Sequence, residues 1–234
     1  MADRRQAASD TGRPKIHNSR ADEAYDAIKN LILTNAWTPG YNAFEPEVAL
    51  KLGMSRTPVR EALVRLEREG LIRLVPRRGV YVLPVSADDI RDIYFVLAGL
   101  EASAAEQLSR SENVRDLVAG MRDAIDRMDR ALADADLTEW ARGDEAFHRL
   151  LVDNSGNKRL TEIVAMVNDQ AHRARMITLR LRPFPNSSNE EHKKILSAIE
   201  NKDWQTSARL VREHRLKGLA MVLGALENFQ LKQL

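Results

Sequence analysis

The chain has 234 residues, a formal net charge of +2 and no cysteine. That length holds one large domain or two modest ones. The missing cysteine excludes a disulfide framework and any thiolate metal or redox site, and fits a reducing cytosol. No apolar run approaches the roughly 20 residues of a membrane span, and no apolar signal core follows Arg4 and Arg5. The expectation is a soluble, cytoplasmic protein with no membrane partner.

Residues 1–19 lack apolar periodicity and read as a disordered arm. A helix is expected from about Asp22 to Asn35, with Ala24, Ile28, Leu31 and Ile32 on its buried side. Trp37-Thr38-Pro39-Gly40 closes it in a Pro-Gly turn. A short helix with Pro46 near its start then runs to Leu52, and Gly53 breaks the chain. Ser55 reads as the N-cap of a third helix, with Pro58 inside the first turn, where a missing N–H does no harm. Val59, Ala62, Leu63 and Leu66 recur at helical spacing and mark its buried stripe. Arg56, Thr57 and Arg60 fall outside that stripe. Two arginines and a hydroxyl on the first turns of an exposed helix suit the DNA major groove, where arginine donates two bonds to guanine O6 and N7. The same residues alone also describe an ordinary solvated helix, so the neighbouring sequence has to decide.

Gly70 is a natural residue to end this helix. Leu71–Val75 and Val80–Leu83 are apolar, β-branched runs of strand length, separated by Pro76-Arg77-Arg78-Gly79 as a tight turn. A hairpin behind a helix-turn-helix is a wing, and arginine at its tip can enter the minor groove, where negative potential is concentrated. Residues 54–80 carry seven arginines against three glutamates, a basic patch of the kind that binds phosphates. The candidate DNA contacts are therefore Ser55, Arg56, Thr57, Arg60, Arg77, Arg78 and Gly79. From Tyr25 to Val82 the chain resembles the winged-helix domain of the GntR family of bacterial transcription regulators. The resemblance is carried by Pro39-Gly40, Ser55 to Leu63, Leu66, Glu69-Gly70-Leu71 and Arg77-Arg78-Gly79. It implies that Arg56 and Arg60 contact bases and that the wing tip reaches the minor groove. Some members carry a further base-reading arginine where this chain has Pro46, so that contact is not carried over.

Residues 84–86 read as a linker, with Ser86 able to cap a new helix and Asp89 reaching back to it. From there only helices are expected, at about 87–109, 112–134, 136–153, 157–181, 187–201 and 204–231, an all-α bundle over residues 87–231. The expected architecture is thus mainly α: an arm over 1–19, a winged helix-turn-helix domain over 20–83 and an all-α effector domain.

Asp144 and His148 are four apart on one expected helix and share a face. His192 and His214 lie on two later helices. One carboxylate and three imidazoles could converge inside a bundle and suit a divalent ion, zinc first, with nickel or manganese as alternatives. Polar residues scattered over helices are, however, more often surface or satisfied core groups. The segment Asp144 to Leu151, Ser155-Gly156-Asn157, Glu191-His192 with Ile195-Leu196, Asp203-Trp204 and His214 resembles the FadR C-terminal (FCD) effector domain attached to one branch of the GntR family. Many such domains bind a metal through one Asp and three His, and all four positions are occupied here. The resemblance implies a small organic acid as effector, with arginines to complement its carboxylate. Arg173, Arg175, Arg180 and His172, on the helix over 157–181, are the candidate contacts, with Arg182 just beyond. Related domains often carry an arginine four residues before the position of Glu101. Leu97 stands there instead, which puts an acid contact from the first bundle helix in doubt.

The function so implied is a homodimeric, ligand-responsive regulator on a near-palindromic operator, a repressor released by a carboxylate metabolite. The alternatives are a metal-dependent enzyme using the Asp/His3 set and a regulator whose metal is only structural.

Overall fold

The computed structural model describes residues 19–229. The first helix, α1 (Arg20–Leu33), starts at Ser19. The Asp22 N–H donates to Ser19 Oγ, and the Asp22 carboxylate accepts from the Ser19 N–H, so both open ends of the turn are satisfied. Ser19 is therefore a helix cap and not the end of an arm. The rest of the expected arm, residues 1–18, lies outside the described residues.

After α1 come β1 (Asn42–Ala43), α2 (Glu45–Leu52), α3 (Arg56–Arg68), β2 (Ile72–Val75) and β3 (Gly79–Val82). The three strands form an antiparallel sheet in the order β1-β3-β2, with Asn42 opposite Tyr81 and Ile72 opposite Val82. β1 was not expected from sequence. Two residues carry no alternation, and its place is set by pairing with β3. Ile28 and Ile32 of α1, Val48 of α2, Val59, Leu63 and Leu66 of α3, and Ile72, Val80 and Val82 of the sheet form one buried core. Gly53 ends α2 in the left-handed conformation. Ser55 precedes α3 with extended backbone, but its hydroxyl makes no capping bond, contrary to the role expected for it.

The second half is helical throughout: α4 (Ala87–Ser109), α5 (Val114–Leu117), α6 (Ala119–Ala133), α7 (Leu137–Asp153), α8 (Lys158–Thr178) with a 3-10 turn Leu179–Leu181, α9 (Asn186–Glu200) and α10 (Trp204–Asn228). The helix expected over 112–134 is two, broken at Val118, with the helix-weakening Gly120 just behind the break. The helix expected to 181 tightens after Thr178. Arg182 is already extended ahead of Pro183, since a residue preceding proline is excluded from the helical region. α4 and α10 run antiparallel, with Ser109 against Ser207 and Glu101 against Arg215. α6 and α7 pair, and α9 closes over them onto α10. Two apolar clusters fill the bundle, one around Met121, Met128, Phe147 and Ile199, the other around Tyr94, Leu97, Leu160 and Val222.

α8 also touches the winged unit. Lys29 Nζ lies 2.5 Å from Asp169 Oδ2. Gln170 donates to the Glu69 carbonyl at 3.0 Å, and Arg173 to the Leu83 carbonyl at 3.0 Å.

Candidate metal centre and DNA-reading surface

The exposed side of α3 presents Ser55, Arg56, Thr57 and Arg60, because Val59, Ala62, Leu63 and Leu66 take the opposite side into the core. Arg56, Thr57 and Arg60 share a shallow cleft with Glu45, Arg65 and Arg68. Arg65 is committed elsewhere, paired with Asp22 at 2.7 Å and stacked on Tyr25. Among the described residues, Arg56, Arg60, Arg77 and Arg78 form no ion pair, so their donors face solvent. At the wing tip Arg77 is left-handed (φ +62°). Gly79 is also left-handed, and a Cβ on it would lie 2.3 Å from the Ala43 carbonyl oxygen, so only glycine closes the hairpin against β1. Free arginines on a convex helix and on a hairpin tip of the same small unit can meet the bases and phosphates of one duplex.

In the bundle, Asp144 and His148 from α7, His192 from α9 and His214 from α10 meet. One potential ligand atom from each lies within 4.8 Å of all the others, and all four residues are buried. His148 Nε2 stands 3.2 Å from His214 Nε2 and 3.3 Å from His192 Nε2. Asp144 Oδ1 is 3.4 Å from His192 Nε2 and 3.8 Å from His148 Nε2. The helical spacing of Asp144 and His148 is what turns both inward from α7. Phe147, one residue before His148, packs on the His192 ring with centroids 4.6 Å apart.

Two carboxylates lie behind two of the imidazoles, while His192 Nδ1 is buried without a partner. His148 Nδ1 is 2.9 Å from Glu101 Oε2, and His214 Nδ1 is 2.8 Å from Glu191 Oε2. A carboxylate on Nδ1 keeps the proton there and turns the Nε2 lone pair inward. Lone pairs about 3 Å apart repel unless a proton or a cation sits among them. Burial pushes His148 and His192 well below the usual imidazole range, and the Arg215 guanidinium acts on both in the same direction. Burial works to raise Asp144, but His148, His192 and Arg175 outweigh it and hold the carboxyl below its usual range. Neutral imidazoles and an ionised carboxylate are the forms that ligate a divalent ion, so the donor set fits a metal.

Glu101 and Glu191 are themselves anchored. Arg215 grips Glu101 through both Nε and Nη2, buried with it. Lys217 lies 2.7 Å from Glu191. Burial would raise Glu191, yet its bonds to His214 and Lys217 bring it down to about 2.

A cavity of about 540 Å³, including its open mouth, adjoins Asp144 and His214 and is lined also by Tyr94, Trp140, Arg175, Arg182 and Arg215. Arg175 alone of the expected effector contacts lines it. Arg173 is fully buried but points to the Leu83 carbonyl, on the domain junction. His172 pairs with Glu145 at 3.1 Å, and Arg180 is exposed on the 3-10 turn. Residues two apart on a helix point about 200° apart, so Arg173 and Arg175 cannot share a target. Leu97 is fully buried in apolar packing, and no cation from its position enters the cavity. Arg182, named in sequence only as lying just beyond the candidate contacts, does line the cavity, whereas Tyr94, Trp140 and the Glu101–Arg215 pair were not expected as site residues. The one signal for Glu101 was a charge set in the apolar stripe Tyr94, Leu97, Ala98, Ala105, where an unpaired carboxylate would not be tolerated.

Residues 20–82 match the model of the gntR family of bacterial regulatory proteins, and residues 92–217 match the FCD domain. An HTH-type transcriptional regulator in the TAR-I ttuE-ttuC' intergenic region of Agrobacterium vitis is 46% identical over 135 residues, 57% of this chain and 79% of that one. An HTH-type regulator in an unstable DNA locus of Streptomyces ambofaciens is 31% identical over 192 residues, 82% of this chain and 80% of that one. Among solved structures, E. coli McbR/YncC superposes with a TM-score of 0.77 at 20% identity, covering 89% of this chain and 99% of that one, which speaks for the fold. The relatives are transcriptional regulators and not enzymes. The chain is a DNA-binding transcription regulator: it belongs to the GntR family, with a winged helix-turn-helix unit joined to an all-helical FCD domain.

Proposed function

We propose that the protein is a metal-dependent, acid-responsive repressor acting as a homodimer in the cytoplasm. Arg56 and Arg60 read bases in the major groove, Ser55 and Thr57 bond the adjoining backbone, and Arg77, Arg78 and Gly79 follow the minor groove. Two such units on a two-fold axis read a near-palindromic operator. Asp144, His148, His192 and His214 hold a divalent ion, zinc first. The bound ion supplies a Lewis-acidic anchor for a carboxylate oxygen. Arg175 complements the acid in the adjoining cavity.

The observation that carries this reading is the inward convergence of the four ligand groups, backed by Glu101 and Glu191, beside a cavity whose wall includes α8. That helix makes the contacts to the winged unit. An acid that orders Arg175 acts on the element that also holds Lys29, Glu69 and Leu83. For such an acid to regulate, it must bind one arrangement of the two units more tightly than the other. Repression fits, since it is the commoner mode in this branch.

A thermal-shift screen of carboxylate metabolites with and without a chelator tests the reading. Stabilisation by an acid that vanishes on chelation is the expected result. Acid-induced stabilisation that is indifferent to chelation, or none from any acid, contradicts it.

A further inference from the structure

The cavity beside the ligand cluster is rich in donors and poor in acceptors. Four of its side chains each carry a buried donor atom with no hydrogen-bond partner: Tyr94 Oη, Trp140 Nε1, Arg175 Nη1 and Arg182 Nε. The bonds these residues do make go to neutral groups. Arg175 donates to Asn168 Oδ1 at 3.3 Å, and Arg182 to the Arg175 carbonyl at 3.1 Å. Among the described residues neither arginine has an ion-pair partner. Arg215 differs, since Glu101 neutralises it. Asp144 is the one carboxylate in the lining, and its single charge is shared among the three imidazoles, Arg175 and Arg182.

Buried donors without acceptors are costly, and unpaired buried charge more so. Gathered on the wall of one cavity, they mark what an occupant must bring: acceptor oxygens and negative charge. A monocarboxylate bound at the ligand cluster uses its two oxygens there. It leaves two arginines sharing the one distant charge of Asp144, with Arg175 Nη1, Arg182 Nε, Tyr94 Oη and Trp140 Nε1 still unpartnered. A second carboxylate supplies one negative charge toward the arginine pair and two further acceptor oxygens.

We propose that the effector is a short dicarboxylate, one carboxylate at the Asp144–His214 end and the other held by Arg175 and Arg182, with Tyr94 and Trp140 donating to the remaining oxygens. This rests on the reading that an acid binds beside the ligand cluster, and it adds Arg182, Tyr94 and Trp140 as specificity-determining residues. Asp144, His214, Tyr94, Trp140, Arg175 and Arg182 line one cavity, so one small molecule can face both ends.

Calorimetric titration of the full, zinc-loaded chain with malonate, succinate and glutarate, set against butyrate and inorganic phosphate, tests this. The best dicarboxylate is expected to bind at least about tenfold tighter than butyrate. Arg182→Gln, at a half-exposed position, brings that ratio near one. Tyr94→Phe removes only an unpartnered buried hydroxyl, so it weakens the dicarboxylate several-fold while the melting temperature of the ligand-free protein stays equal or rises. Butyrate binding as tightly as the diacids, and only with metal, overturns the dicarboxylate while leaving the metal-and-acid reading intact. Phosphate matching the diacids in an Arg182-dependent way makes the cavity a general anion site and overturns it too. No binding by any of these acids sinks both readings.

Discussion

Lys29 of α1 and Asp169 of α8 meet at 2.5 Å across the junction of the two halves of the chain. The pair is set among Tyr25, whose hydroxyl accepts from Lys29 at 2.7 Å, and Glu69, whose carboxylate accepts from Tyr25 at 2.8 Å. Burial works against the Lys29 charge, but the bonds to Asp169 and Tyr25 outweigh it and raise the ammonium above its usual range. Six residues along α8, Arg175 lines the cavity. The junction and the cavity therefore share one rigid element.

Asp169→Ala removes the bridge and leaves Lys29 half-buried beside Glu69. We expect a loss of stability of about 1–3 kcal/mol and, more tellingly, a weaker influence of effector on operator affinity. Operator Kd measured with and without acid should give a ratio several-fold closer to one than in the wild type. An unchanged ratio would mean that coupling does not pass through this contact.

The Glu191–His214 bond makes a second prediction. Glu191 touches no ligand cavity, yet it fixes the tautomer of His214. Glu191→Gln should lower metal affinity by roughly 10–100-fold with little change in secondary structure, as read by competition with a chromogenic chelator. Affinity equal to wild type would remove Glu191 from the metal site.

The depressed His148 and His192 set a pH dependence for the metal-free protein. Their folded-state values lie below the ordinary 6.5, so between those values the unfolded chain binds more protons. The stability from burying neutral imidazoles is complete above about pH 6.5 and is lost as pH falls toward the folded values. Urea unfolding of chelator-treated protein should show lower stability at pH 5.5 than at pH 7.5, and a His148→Gln/His192→Gln variant should flatten that slope. A metal-free protein equally stable at both values contradicts the assignment.

On the DNA side, Arg56→Ala or Arg60→Ala should each weaken specific operator binding by about 1–3 kcal/mol, whereas Arg78→Ala at the wing tip should chiefly lower the salt dependence of binding. Glu45 shares the cleft of Arg56 and Arg60, and its negative charge opposes phosphate. Glu45→Gln should therefore tighten binding to non-operator DNA. Anisotropy titrations on operator and random duplex at two salt concentrations check all four variants.

Much of this was legible in the sequence for identifiable reasons. Val59, Ala62, Leu63 and Leu66 announce α3 and its buried face by spacing alone. The Asp144–His148 interval fixes two inward groups on one helix. What periodicity cannot give is how separate helices meet. Glu101 and Arg215 are 114 positions apart, and their pairing exists only because α4 and α10 lie antiparallel. The same holds for β1, two residues long and defined by its partner strand, and for α8. There a cluster of cationic residues resolved into Arg173 at the junction, Arg175 at the cavity and, on the 3-10 turn beyond, Arg180 in solvent only when the helix took its place.

The central claim is that an acid bound beside the Asp144, His148, His192 and His214 cluster controls DNA binding from there. Its most direct test is operator release measured by anisotropy, with a stabilising acid titrated into zinc-loaded wild type and into His192→Ala. The acid should lift the wild type from the operator, whereas His192→Ala should still bind the operator but no longer respond. Release of the variant at the same acid concentration as wild type would contradict it.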